Sequence, residues 1–140
     1  MAGEVFKTRI TVRYEHCDAA GIIFYPNCFL FINRAVEDWF KTELGCDWLT
    51  YHIDRGLAIP TARLEVDFKA PSYMNDALDW EMRVTHLGTR SVRLAHEASC
   101  AGQTRIQVAH GLVVASKDDI KPVPIPDDIR AQMERFVIPD

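Results

Sequence analysis

Hydrophobic and polar positions alternate with period two in five stretches of the chain, with helical spacing in between. Over residues 5–15, Phe6, Thr8, Ile10, Val12 and Tyr14 fall on one side, and Lys7, Arg9, Thr11, Arg13 and Glu15 on the other. That is the signature of a strand with one buried face. After Pro26, a residue suited to the first helical position, the period changes. Phe29, Ile32, Ala35, Val36, Trp39 and Phe40 recur at helical spacing, predicting a long amphipathic helix that runs to about Leu44 and stops at Gly45. Residues 46–56 read as a short second helix or turn closing at Gly56.

Beyond Pro60 the alternation returns. Ala62, Leu64, Val66 and Phe68 form one run, Leu78, Trp80, Met82 and Val84 the next, and Val92, Leu94, His96, Ala98 and Cys100 a third. Gly88 marks the turn between the last two, and Ala101-Gly102-Gln103 is a hairpin signal. Residues 104–116 predict a last strand, apolar on both faces in its second half, as suits a strand inside a sheet. A final amphipathic helix follows Pro126. Strand, long helix and then four strands joined by short turns is an α+β layout, an antiparallel sheet with one long helix packed on a face. A sheet of this size needs its edges or second face covered, and a homo-oligomer does that.

The chain has 140 residues, which suits one domain spanning 1–140. Its formal net charge of −4 argues against nucleic-acid binding. No apolar run is long enough to span a bilayer, and the first thirteen residues lack a signal-peptide core. Cys17, Cys28, Cys46 and Cys100 form no C-x-x-C pair and have no histidines clustered beside them. The expectation is free thiols in a reducing cytoplasm, with no metal and no cofactor.

One segment departs from the local rules. His16 to Asn27 joins the first strand to the helix, yet carries the apolar run Ile22 to Tyr25. Connections usually lie on the surface and are polar, so this one is expected to pack against the helix or a partner subunit. Asp18 sits in it, a few residues before a helix start whose amides are unpaired donors. A carboxylate there can attack a carbonyl or activate water, and the amides can hold an oxyanion. The bland alternative is an Asx-turn or cap. His16 is a neighbour able to tune Asp18. His96 and His110 lie on apolar strand faces and read as satisfied core residues. No G-x-S-x-G or Gly-rich phosphate loop is present.

The run Arg9-Ile10-x-Val12-x-Tyr14-x-x-Cys17-Asp18-x-Ala20-Gly21-Ile22-Ile23-Phe24-Tyr25-Pro26-Asn27 resembles the signature of the 4-hydroxybenzoyl-CoA thioesterase family, Pseudomonas type. The order of elements after it fits as well. The resemblance implies a hotdog fold: a five-stranded antiparallel sheet wrapped around the long helix, two chains pairing at an active-site interface, and dimers associating into a homotetramer. It implies an acyl-CoA substrate, with an aryl-CoA favoured by Tyr25-Pro26-Asn27. Asp18 matches the family's nucleophile or general base. The Tyr25 backbone N–H matches the amide that polarises the thioester carbonyl. Asn33 stands where the family has an aspartate that meets the substrate 4-hydroxyl, so the charge is lost there. Thr89, Arg90 and Ser91 match the phosphate-holding turn, with Lys117 and Lys121 weaker candidates. A related subgroup carries its carboxylate on the helix, which would make Glu37 or Asp38 the acid, but its His-Gly-Gly stretch is absent. Short- or medium-chain fatty acyl-CoA hydrolysis, a hydratase, and a non-catalytic hotdog protein that binds acyl-CoA or acyl carrier protein are the competing readings.

Overall fold

The computed structural model describes residues 2–139. Strand β1 (Phe6–Thr11) leads through a short 3-10 turn and a tight loop into a second 3-10 turn, Tyr25–Asn27, from which helix α1 (Cys28–Thr42) continues. A π-helical turn, Leu49–Asp54, precedes β2 (Leu57–Ala58). Strands β3 (Thr61–Phe68), β4 (Ala77–Leu87), β5 (Ser91–Cys100) and β6 (Gln103–Val113) follow, then β7 (Ala115–Ser116) and helix α2 (Asp127–Met133). β1, β4, β5, β6 and β3 lie side by side in that order, every pair antiparallel, while β2 pairs with β7 apart from them. β6 is an inner strand, as its two-sided apolar half requires.

Helix α1 buries Cys28, Phe31, Ile32, Ala35, Val36, Trp39 and Phe40, a stripe with unbroken three- and four-residue spacing. It lies on the inward face built by Leu78, Trp80, Met82 and Val84 of β4, Val92 and Leu94 of β5, and Ile106, Val108 and Leu112 of β6. Large apolar side chains buried this way contribute roughly 1.5–3 kcal/mol each. The β5–β6 hairpin closes on Ala101 and Gly102, at φ 50° and 79°. Two successive positive φ values make the tight turn whose twist matches the strands, and glycine adopts one of them freely.

Two expectations from the periodicity fail. β1 ends at Thr11, because Val12 donates to Asp76 C=O and the chain then bends through Tyr14–His16. Tyr14 is thereby turned outward and is 81% exposed. Phe29 is also exposed, because the helix begins nearer Cys28 and its stripe runs through Cys28 and Phe31 instead.

The ion pair between buried Arg105 and half-buried Asp76 (2.6 Å) holds this end of the sheet together. Arg105 also donates to Pro71 C=O, and Asp76 accepts from the Tyr73 amide. The guanidinium holds the Asp76 carboxyl below its usual range. The pinned loop in turn bonds to residues 12, 21 and 23 through Asn75, Met74 and Ser72. Removing one partner of such a pair strands the other charge. Asp76→Ala is therefore expected to lower stability by about 1–3 kcal/mol, between the values for exposed and buried pairs, read from urea unfolding. A loss below about 0.5 kcal/mol would contradict this account of the loop.

Candidate active site

The Asp18 segment is a miniature hairpin. The Phe24 amide donates to His16 C=O (2.8 Å), Cys17 bridges Ile23, and the Asp18 amide donates to Ile22 C=O (2.9 Å). The turn closes from the Gly21 amide to Asp18 C=O, with Gly21 at φ 78°. A side chain at that φ would be strained, so the turn needs its glycine. One Asp18 carboxylate oxygen accepts from the Ala20 amide at 2.9 Å. This is an Asx-turn, and in the single protomer the Asp18 side chain is exposed.

At the far end of the hairpin the helix start can be accounted for donor by donor. Pro26 has no N–H. The Asn27 amide is used on Phe24 C=O, and the Cys28 amide on Pro26 and Tyr25 C=O. The Tyr25 amide has no acceptor among the described residues. Asn27 ties the helix start back to the hairpin, its side-chain amide donating to His16 C=O at 2.9 Å. His16 itself is a structural residue. Its ring is buried edge-on against Phe31, Nδ1 accepts from the Arg13 amide, and burial pushes its pKa down. No hydrogen bond or ion pair joins it to Asp18 among the described residues.

Around this hairpin the surface is aromatic. Ile23 is buried, but Phe24, Tyr25 and Tyr73 are exposed, as is Tyr14. The apolar run is thus only partly packed against its own chain.

From one to three helical turns beyond Tyr25, about 6 to 17 Å at 1.5 Å per residue, a crevice opens between α1, strands β3 and β6, Trp48 and Ile59. Its volume is about 170 Å³. Phe29, Ile32, Val36, Leu64 and Leu112 give it apolar walls. Asn33, Thr61 and His110 supply the polar atoms. Asn33 is where the sequence placed a substrate contact, and its side chain makes no hydrogen bond among the described residues. Thr61 and the role of His110 were missed. Thr61 reaches this face through a β-bulge between Thr61 and Arg63, which sets Thr61 opposite Leu112. Without the bulge Ala62 would take that place.

Thr89, Arg90 and Ser91 are elsewhere. They form the β4–β5 turn, and their carbonyls accept from Ile125, Val114 and Gly88. The Asp18 loop packs near residue 76, at the opposite end of β4, so the eleven residues of β4 separate the two within a protomer by roughly 33 Å. Glu37 is an exposed helix residue, and Lys117 donates to His52 C=O on the surface. All four cysteines are free.

His96 and His110 are satisfied in the core, as their strand positions suggested. Burial drives both pKa values down, to about 3 for His96 and about 4 for His110. The unfolded chain titrates near 6.5 and so binds more protons than the folded chain between these values. Stability from the pair is complete above pH 6.5 and is lost as pH falls toward the folded values. His16 adds to this in the same direction. The unfolding free energy is expected to drop by on the order of 3 kcal/mol between pH 6.5 and pH 4 through His110. His110→Gln should flatten that slope in urea melts taken across the range, and an unaltered slope would refute the assignment.

A family model described as the thioesterase-like superfamily matches residues 12–133. The 1,4-dihydroxy-2-naphthoyl-CoA hydrolase of Thermosynechococcus vestitus is 27% identical over 125 residues, covering 89% of this chain and 85% of that one. A thioesterase-superfamily protein of Jannaschia sp. CCS1 superposes with a TM-score of 0.87 at 28% identity, over 95% of this chain and 93% of its own. A gentisyl-coenzyme A thioesterase superposes at 0.81, also at 28% identity, over 89% and 99%. The chain belongs to the thioesterase-like superfamily, and its fold is the hotdog: a five-stranded antiparallel sheet around one long helix.

Proposed function

We propose that this chain hydrolyses aryl-CoA thioesters, an aroyl-CoA and water giving the aromatic acid and CoA. The chain is an acyl-CoA thioester hydrolase on the strength of its superfamily and of the CoA thioesterases among its relatives. Asp18 acts as the carboxylate, either attacking the carbonyl carbon to expel the CoA thiolate or taking the proton of an attacking water. The Tyr25 amide donates to the carbonyl oxygen as it gains negative charge. The observation that carries the reading is the unused Tyr25 amide, which follows directly on the short hairpin that holds Asp18 and leads into the helix that walls an apolar crevice.

A carboxylate left in bulk water offers little, so the reading requires a second copy of the chain over this surface. The exposed aromatics beside Asp18 and the open sheet edges at β1 and β3 support that. A second copy also supplies a phosphate-binding turn, since Thr89, Arg90 and Ser91 lie too far from Asp18 in the same protomer. Arg90 suits phosphate through its forked donors. The active form in this reading is a homodimer or a dimer of dimers.

The acyl group is aromatic and monocyclic in this reading. One relative is named for a two-ring substrate and another for gentisyl-CoA, which has one ring. The crevice, at about 170 Å³, is close to the ~150 Å³ of an apolar cavity that holds benzene. A benzoyl or hydroxybenzoyl group fits that space. Asn33 would meet a ring substituent without charge.

Asp18→Asn is expected to cut kcat on benzoyl-CoA by about 100-fold or more, with thermal stability and oligomeric state retained. Thiol release from aryl and aliphatic CoA thioesters, together with sedimentation velocity, reads both. Undiminished turnover in the variant would remove Asp18 from the mechanism. Binding of acyl-CoA with no thiol release by the wild-type chain would make it a carrier and overturn the enzyme reading.

A further inference from the structure

We infer that Thr61 is the specificity-determining hydrogen-bond donor of the acyl crevice, held in that role by a proton-ordered chain from Trp80 through His96 and His110, and that the crevice therefore selects aryl groups carrying a ring oxygen. This rests on the proposed aryl-CoA thioesterase function.

The chain crosses four strands. Trp80 Nε1 lies 2.9 Å from His96 Nδ1, His96 Nε2 lies 3.2 Å from His110 Nδ1, and His110 Nε2 lies 2.9 Å from Thr61 Oγ1. Each step is diagonal in the ladder. Trp80 pairs with Ala98 beside His96, His96 with Val108 beside His110, and His110 with Leu64, next along the strand from the Thr61 bulge.

The direction of every proton follows from the first residue. An indole nitrogen only donates. His96 Nδ1 must accept, so a neutral His96 carries its proton on Nε2 and donates to His110 Nδ1. His110 then carries its proton on Nε2 and donates to Thr61 Oγ1. Reversing the chain would set the Trp80 N–H against an N–H on His96, two donors face to face. Burial keeps both rings neutral, so neither becomes a double donor.

Thr61 lines the crevice and is exposed to solvent in the single protomer; one lone pair is taken by His110, and its hydroxyl hydrogen has no protein acceptor among the described residues, so a bound acyl group would displace water from it. An acyl group with an oxygen at that point completes the chain. One without it leaves the donor facing an apolar ring, which is how polar sites in apolar pockets discriminate. Asn33 on the opposite wall can either donate or accept, so it does not by itself choose. Thr61 has one lone pair taken by His110, which tilts it toward donating its hydrogen to a ring oxygen.

The test compares kcat/KM for benzoyl-CoA and for 2-, 3- and 4-hydroxybenzoyl-CoA in the wild-type chain, Thr61→Ser and Thr61→Val. The wild type is expected to prefer at least one hydroxybenzoyl-CoA over benzoyl-CoA. Thr61→Val should shrink that preference tenfold or more, while Thr61→Ser should keep it within threefold. Nitrogen-15 NMR of the wild-type protein at pH 7 should find both His96 and His110 protonated on Nε2 alone, a signature that packing by itself does not impose. Either histidine protonated on Nδ1, or an unchanged preference in Thr61→Val, overturns the inference while leaving the thioesterase reading in place. A wild-type chain that hydrolyses none of the four thioesters overturns both.

Discussion

Burial of one stripe of helix α1 against the inward face of the sheet is the constraint on which the rest depends. Seven side chains from Cys28 to Phe40 fill that face, so the position of the helix is not free. Both parts of the candidate site follow from it. The helix start must lie where Tyr25 and Pro26 leave the Asp18 hairpin, and the crevice is the gap where α1 diverges from β3 and β6. The start is further clamped by two polar ties, Asn27 to His16 C=O and Arg105 to Asp76. These are worth more for position than for net stability, since buried ion pairs spend most of their attraction offsetting lost hydration. A donor meant for a developing oxyanion must be fixed beforehand, and rigid supports of this kind serve that need.

The histidine chain shows a different use of buried polarity. An apolar residue at each of its positions would suit the core as well on packing grounds. Satisfying the Trp80 indole does not explain it either, because the same core leaves the Trp39 indole nitrogen without a hydrogen-bond partner among the described residues. What the chain adds is polarity in one direction. A threonine alone in a crevice rotates its hydroxyl to suit any partner. Anchored through two neutral rings to an indole, it has one lone pair taken and its hydrogen turned away from His110. Hydrogen bonds in series inside a low-dielectric core also strengthen one another, so the order is reinforced along the line.

The sequence made the strands, the helix and the inner place of β6 readable, because each rests on periodicity that burial enforces directly. Where a local bond overrode periodicity, the reading failed. Tyr14 continues the alternation of β1 but is carried outward once Val12 commits its amide to Asp76. Phe29 fits a helical wheel drawn from Pro26, yet the stripe is set from Cys28. Within the site, the Asp18–Tyr25 segment and Asn33 stood out by resemblance and position. Thr61 did not, because a bulge has no sequence mark here, and without it Ala62 would have been the inward residue. The pairing of His96 with His110 was within reach. The hairpin turn at Ala101–Gly102 and the register shift between Ala98 and Ser99 together put them on one face of neighbouring strands, one diagonal step apart. That Thr89, Arg90 and Ser91 lie at the far end of β4 also follows from strand length alone.

The electronic consequence of a donor in the crevice favours the chemistry at its mouth. A ring hydroxyl conjugated with a thioester carbonyl feeds electron density toward it and makes the carbon a poorer electrophile. A carboxylate beside that hydroxyl draws its proton away and strengthens the donation. In the proposed reading Asn33 meets the ring substituent without charge, and among the described residues no lysine or arginine lines the crevice to stabilise a phenolate. In the inferred role Thr61 would donate to the ring oxygen instead, withdrawing density from it and so from the carbonyl carbon. The same contact that selects the substrate therefore leaves the carbonyl more open to attack, while the Tyr25 amide draws on the other oxygen. In the proposed reading, a donor at each end of the conjugated acyl group leaves polarisation of the thioester to fixed neutral dipoles, and Asp18 would be the one charge the reaction needs to supply.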